Sequence, residues 1–131
     1  MGFETFYNED ENIVETRLSD DITNKDVLDF IDKMIQLTTE HECFSWMVDY
    51  TSARYKLSTM QIFDLPAEVF KRMDSLGTRK FHIKRAIVRV NDNEDFAFLE
   101  NVANNRGQNL LVFSNREDAK KWLNGKMDNG F

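Results

Sequence analysis

The apolar pattern of this chain predicts an α/β fold in the order β-β-α-β-α-β-α-β-α. The expected sheet has five mostly parallel strands, an N-terminal antiparallel pair, and helices packed against it. Three observations carry that expectation. Short β-branched and aromatic runs alternate with stretches whose apolar residues recur at helical spacing. The run Phe44-Ser45-Trp46-Met47-Val48-Asp49 is apolar nearly throughout, as a strand buried on both faces is. Helix-start signals, a hydroxyl or amide side chain with an acid or amide three residues on, precede the amphipathic stretches.

The elements follow in order. Glu4-Thr5-Phe6-Tyr7 and Asn12–Leu18 read as two strands joined by the acidic turn Glu9-Asp10-Glu11, the first of them at an edge. Thr23 caps the next helix, with Asp26 near the positive end of its dipole. Val27, Phe30, Ile31, Met34, Ile35 and Leu37 form its buried stripe. The strand ending at Asp49 leads into the polar stretch Tyr50–Lys56. Ser58 and Gln61 then make a capping box. The following apolar face, Ile62, Phe63, Pro66, Val69, Phe70 and Met73, contains the single proline of the chain. Proline cannot donate to the carbonyl of Ile62 and disfavours helical geometry at Leu65, so a break with a new helix starting at Pro66 is expected.

Arg85–Val90 is the next strand, ending at the turn Asn91-Asp92-Asn93. A third helix runs through Phe96, Leu99, Val102 and Ala103 to Gly107. Leu110–Phe113 is the last strand. Ser114 and Glu117 form a capping box for a final helix with Ala119, Trp122 and Leu123, closed by Gly125. Residues 126–131 are expected to fray. No linker or repeat divides the 131 residues, so the expectation is a single domain over 1–131, large enough to bury about two-thirds of its unfolded surface.

Composition bounds the function. No apolar run approaches the roughly 20 residues needed to cross a bilayer. The start of the chain lacks the basic and apolar regions of a signal peptide, and the single Cys43 cannot form an internal disulfide, so a cytoplasmic location is expected. The net charge of −6 argues against nucleic acid as a partner. The charge is nonetheless uneven: residues 1–49 carry 13 acids and 3 bases, residues 50–89 carry 9 bases and 3 acids. A dipolar chain of this kind offers a basic surface to an anionic partner, or has simply well-solvated faces.

Three places resemble one family. They are Trp46-Met47-Val48-Asp49 with the loop to Leu57-Ser58, the strand Arg85-Ala86-Ile87-Val88, and the ending Val112-Phe113-Ser114-Asn115-Arg116-Glu117-Asp118-Ala119-Lys120-Lys121-Trp122-Leu123. Together with the element order they resemble the SpoIIAA-like branch of the STAS superfamily over about the whole chain. The resemblance implies a regulatory or protein-interaction module, with no enzymatic activity. Its best-known members are anti-anti-sigma factors switched by phosphorylation at the start of the helix after the third strand, in a D-S-[ST]-G-like segment. Here that segment is Leu57-Ser58-Thr59-Met60: Ser58 and Thr59 occupy the hydroxyl positions, while Leu57 replaces the acid and Met60 the glycine. The branch also resembles CRAL-TRIO lipid-binding folds, which implies a pocket for an apolar small molecule.

The candidate site residues divide into three groups. Ser58 and Thr59 are the phospho-switch candidates, since a phosphate at a helix N-terminus meets free N–H groups and a favourable dipole; a plain helix cap is the alternative. Asp49, at the carboxyl edge of a central strand, is placed to orient a ligand or to pair with a base, and Phe63, Pro66, Phe70 and Met73 are candidates for a lid over an apolar ligand. Lys71, Arg72, Arg79, Lys80, Lys84 and Arg85, beside Phe70 and Phe81, are candidates for contact with an anionic membrane surface or acidic partner. His41 and Cys43 have no second pair of ligands, Asn91–Asp95 lacks the spacing of a calcium loop, and no phosphate-binding glycine loop occurs. No metal and no cofactor are therefore expected. The expected partners are a protein, including a second copy of the chain, or an apolar small molecule with peripheral membrane association.

Overall fold

A computed structural model of the chain describes residues 2–54, 67–89, 104 and 109–125. It is an α/β structure with a five-stranded mixed sheet in the order β1-β2-β3-β4-β5. The strands are β1 (Phe3–Asn8), β2 (Ile13–Asp21), β3 (Ser45–Arg54), β4 (Lys84–Val88) and β5 (Asn109–Phe113). β1 and β2 pair antiparallel and all later neighbours pair parallel. β1 is an edge strand, as its short half-polar sequence predicts.

The hairpin between β1 and β2 is held by side chains suited to a tight reversal. Asn12 adopts φ 55, a left-handed conformation that asparagine tolerates, and its Oδ1 accepts from the Tyr7 hydroxyl at 2.7 Å. Asn8 Oδ1 accepts the backbone N–H of Glu11 at 3.1 Å. The turn is therefore satisfied locally rather than by the core.

Helix α1 (Asn24–His41) starts where the sequence predicts. Thr23 accepts from the N–H of Asp26 while the Asp26 carboxylate accepts the N–H of Thr23. Its buried face is Val27, Phe30, Ile31, Met34, Ile35 and Thr38. Thr38, one turn beyond Met34, takes the position expected for Leu37, which is only half-buried. The exchange has a reason: the buried Trp46 indole N–H donates to Thr38 Oγ1 at 2.7 Å. An apolar residue there would leave that N–H without a partner.

Strand alternation assigns the two faces of the sheet. Val14, Leu18, Trp46, Val48, Tyr50, Ile87 and Leu110 form one core with α1, and Val69, Met73 and Leu76 complete it. Ile13, Met47, Ala86 and Val88 form the other, under the C-terminal helix α2 (Arg116–Leu123), which contributes Ala119, Trp122 and Leu123. Crossovers that step one way across a parallel sheet keep to one face. Here α1 and residues 67–82 share a face, and α2 covers the other. β3 lies at the centre and Trp46, Met47, Val48, Asp49 and Tyr50 are all buried, which bears out its near-continuous apolar run.

Three expectations are corrected. β3 does not end at Asp49 but continues through Tyr50-Thr51-Ser52-Ala53-Arg54, pairing with β2 across a register shift between Arg17 and Ser19. β4 spans Lys84–Val88, one residue earlier at its start and short of Arg89 at its end; Val90 lies outside the described residues. The cap of α2 is Asn115 rather than Ser114, with Asn115 Oδ1 accepting from the N–H of Asp118 at 2.8 Å; β5 ends at Phe113 as expected, and Asn115 with Asp118 makes an equivalent pair one residue on, the Asn115 amide also donating to the Asp118 carboxylate at 3.1 Å. Residues 67–72 are helical but Met73–His82 tightens into a 3-10 helix, kinked at Gly77 with φ 62 and ψ −140. Gly125, at φ 73, closes α2 as predicted. The break at Pro66, the Ser58–Gln61 box, the helix through Phe96 and Leu99 and the expected fraying of 126–131 lie outside the described residues. At the β5 edge, the Asn104 side chain donates to the carbonyl of Leu110 at 3.0 Å and accepts its N–H at 3.1 Å, occupying backbone groups that would otherwise invite another strand.

Removing the Thr38 hydroxyl while keeping its shape should orphan the Trp46 indole. Thr38→Val is expected to lose about 1–3 kcal/mol in urea unfolding with an unchanged m-value, and a cost below a few tenths would show that the indole finds another acceptor.

Candidate functional site at the carboxyl edge of the sheet

Sequence reasoning singled out Asp49 for its position, and the structure explains what it does there. Asp49 pairs in register with Arg17 on β2 and Val88 on β4, level with the carboxyl ends of β4 and β5. Its side chain lies on the α2 side of the sheet. Between Asp49 and Ser52, β3 has one residue more than β2 has between Arg17 and Ser19, a β-bulge that interrupts the ladder. Asp49 Oδ1 accepts both the backbone N–H of Thr51 at 2.9 Å and its hydroxyl at 2.6 Å. The carboxylate thus closes the bulge.

Its second oxygen meets the first residue of α2. Arg116 donates to Asp49 Oδ2 at 3.0 Å and, from its other terminal nitrogen, to Glu15 Oε1 at 2.7 Å. Glu15 stands on β2, facing the same side as Ile13 and Arg17, and is fully buried. Its other oxygen accepts from the Asn8 side chain at 2.6 Å, and the half-exposed Arg17 lies 3.8 Å from Oε1. Four elements therefore meet at one guanidinium. β1 supplies Asn8, β2 supplies Glu15 and Arg17, β3 supplies Asp49, and α2 supplies Arg116.

The electrostatics follow from these partners. Burial pushes the Asp49 carboxyl up, but the Thr51 hydroxyl and N–H and then Arg116 outweigh it, and the group titrates below the usual carboxylate value. Burial likewise works against the Arg116 charge, and its bonds to Glu15 and Asp49 reverse that and raise it. Arg116 bridges the two carboxylates, and its charge together with the Thr51 donors favours the ionised form of Asp49. A carboxylate in this state is a poor general base, because a proton taken up would be bound against the guanidinium and the hydroxyl. Among the described residues no group of three or more His, Cys, Asp or Glu side chains is placed to hold a metal ion.

The other candidates are distributed rather than gathered. Ser58, Thr59, Phe63 and Pro66 lie outside the described residues. Met73 is buried at 1% exposure within the α1-side core, and Phe70 packs partly against that core. Of the cations, Arg72 bonds Asp32 at 2.5 Å and lies 3.6 Å from Glu68, while Lys80 pairs with Asp74. Lys71 and Arg79 are exposed, and Arg79 Nε donates to the Leu76 carbonyl at 3.3 Å. Lys84 sits on the opposite face, 5.3 Å from the Trp122 ring and donating to the Trp122 carbonyl at the end of α2. Arg85 is half-buried on the α1 side of β4, where burial lowers its pKa to about 10 and Tyr50 works the other way. The six cations do not share one surface. Four of them, Lys71, Arg72, Arg79 and Lys80, lie along residues 67–82.

Glu15 and Arg116 were not singled out from the sequence. The available signal for Glu15 is a charge flanked by buried Val14 and Thr16 in a strand whose alternation places it beside Ile13. For Arg116 it is the first position of a helix that starts at the carboxyl edge. Their pairing spans 101 residues, which no local spacing displays. Cys43, also buried, donates its thiol to the Asn12 carbonyl at 3.2 Å, and burial raises its pKa.

No protein-family model matches the chain, and a search of curated proteins finds no match either. No helix among the described residues is long and apolar enough to cross a membrane.

The lowered Asp49 pKa fixes the sign of a pH effect. As pH falls the unfolded chain takes up this proton first, so the Asp49 contribution is complete above about pH 4 and is lost as pH drops through the native value. Asp49→Asn should cost about 1–3 kcal/mol at neutral pH and flatten the acid limb of stability in urea titrations at stepped pH. An acid limb of unchanged slope would show that Asp49 does not contribute to it.

Proposed function

We propose that this chain is a non-catalytic interaction module of the SpoIIAA-like, STAS kind, acting by binding a protein partner. Two features support the reading. One is the mixed α/β sheet, whose antiparallel first pair followed by parallel neighbours is compatible with the element order on which the family resemblance rests. The observation that carries it is the fate of Asp49: the acidic side chain best placed for chemistry at the carboxyl edge is committed to Thr51 and Arg116.

On this reading the surface serves recognition while the polar cluster maintains the shape of the sheet edge. Tagged chain should capture a discrete protein partner from cells in stoichiometric amount, and native mass spectrometry of the purified chain should give the polypeptide mass alone or in two copies. Asp49→Asn, studied below its melting temperature, should retain that capture within about twofold, since an interaction absent from the interface contributes little to binding. A stoichiometric small molecule in an organic extract, or loss of capture in a fully folded Asp49→Asn protein, would overturn the reading.

A further inference from the structure

Phe81 is the exposed large hydrophobic side chain among the described residues, 55% accessible, at the tip of the 3-10 helix before β4. It does not stand alone: its ring meets Phe70 edge-on at 5.5 Å, and Lys80 Nζ lies 4.6 Å from the Phe70 centroid and 5.4 Å from that of Phe81. Gly77 provides the left-handed residue that turns the segment, and Thr78, Arg79, Phe81 and His82 after it are all exposed. Lys71 and Arg79 add exposed positive charge with no acidic side chain paired to either among the described residues. Residues 67–82 carry Lys71, Arg72, Arg79 and Lys80 against only Glu68 and Asp74, in a chain of net charge −6.

We propose that this tip docks on an anionic lipid surface, with Phe81 entering the headgroup boundary and the exposed Lys71 and Arg79 supplying the charge that meets the lipid phosphates, Lys80 being already paired with Asp74. Charge complementarity selects an anionic surface. The shape selects a bilayer over a protein: one projecting ring, edge-on to Phe70 and beside Lys80, lacks the contiguous apolar patch that a stable protein interface buries, about 800 Å² on each partner, whereas a bilayer solvates a single inserted ring without needing a matching surface. Lys80 is suited to such a boundary, because its ammonium rests against two aromatic faces and remains beside them as water is withdrawn. The acidic N-terminal part of the chain opposes adsorption in other orientations. The proposal rests on this tip alone and does not depend on the family reading.

The test is flotation of the full chain with vesicles made of equal parts phosphatidylserine and phosphatidylcholine, at low and high salt, beside vesicles of phosphatidylcholine alone. Retention is expected on the anionic vesicles only and should weaken with salt. Phe81→Ser should reduce it about tenfold, and Lys71→Glu with Arg79→Glu by at least as much, with circular dichroism unchanged because all three positions are exposed. Phe81→Trp should bind and its added emission should shift to the blue. Failure of the wild-type chain to float with anionic vesicles, or binding that Phe81→Ser leaves intact, overturns the proposal. Capture by an acidic polypeptide such as polyglutamate with the same dependence on Phe81, without vesicle binding, assigns the tip to an acidic protein and likewise overturns it.

Discussion

A carboxylate withdrawn completely from water is the constraint around which this fold is arranged. Glu15 lies in β2 on the face that α2 covers, and an unpaired charge in such a place costs several kcal/mol. Arg116 compensates it and in doing so fixes the start of α2, because the first residue of the helix must stand within reach of both Glu15 and Asp49. α2 is eight residues long, well below the length at which a helix is stable by itself in water. It exists because it is docked. Arg116 ties one end, the Asn115 cap satisfies the first turn, and the other end is met by Lys84 at the Trp122 carbonyl. Between them Trp122, Ala119 and Leu123 cover Met47, Ala86 and Val88.

The same ion cluster reaches into the sheet. Asp49 shares Arg116 with Glu15 and also takes the Thr51 N–H that the bulge in β3 releases from the ladder. Bulge, helix start and hairpin edge are therefore coupled through one guanidinium, since Asn8 of β1 holds the remaining Glu15 oxygen. A cluster with all its donors and acceptors engaged specifies a geometry more than it adds stability, because the hydrogen bonds largely offset the desolvation they require. Among the described residues, the charges of the carboxyl edge are therefore engaged with one another. A separate cationic and aromatic segment, between Val69 and His82, ends in the exposed Phe81.

How much of this the sequence displays depends on the range of the interaction. The α/β class, the edge position of β1, the burial of β3, the Thr23 cap and the closure at Gly125 rest on local patterns, and these were legible. Misreadings occurred where a local signal competed with a distant one. Tyr50–Arg54 is polar enough to read as a loop, yet its last three residues, Ser52-Ala53-Arg54, pair with Ser19-Asp20-Asp21, whose own polarity hides the match. Ser114 and Glu117 form a valid capping box, but Asn115 and Asp118 form a competing pair one residue on, and that one caps α2. Leu37 looks like core and Thr38 does not, until Trp46 is seen to need an acceptor. Asp49 was recognisable as the acid that closes the apolar run of β3, although the strand itself continues to Arg54; Glu15 and Arg116 were not, because their significance is a contact between residues far apart in the chain.

The central claim, that Arg116 is required chiefly because Glu15 is buried, is tested most directly by a double-mutant cycle in urea at neutral pH. Arg116→Met should destabilise the protein by about 3–5 kcal/mol, and the double variant Glu15→Leu with Arg116→Met should recover most of that loss, since paired apolar replacements of a buried ion pair are often nearly neutral. A double variant no more stable than Arg116→Met alone, or a single Arg116→Met cost below about 1 kcal/mol of the kind expected from an exposed pair, would contradict the account.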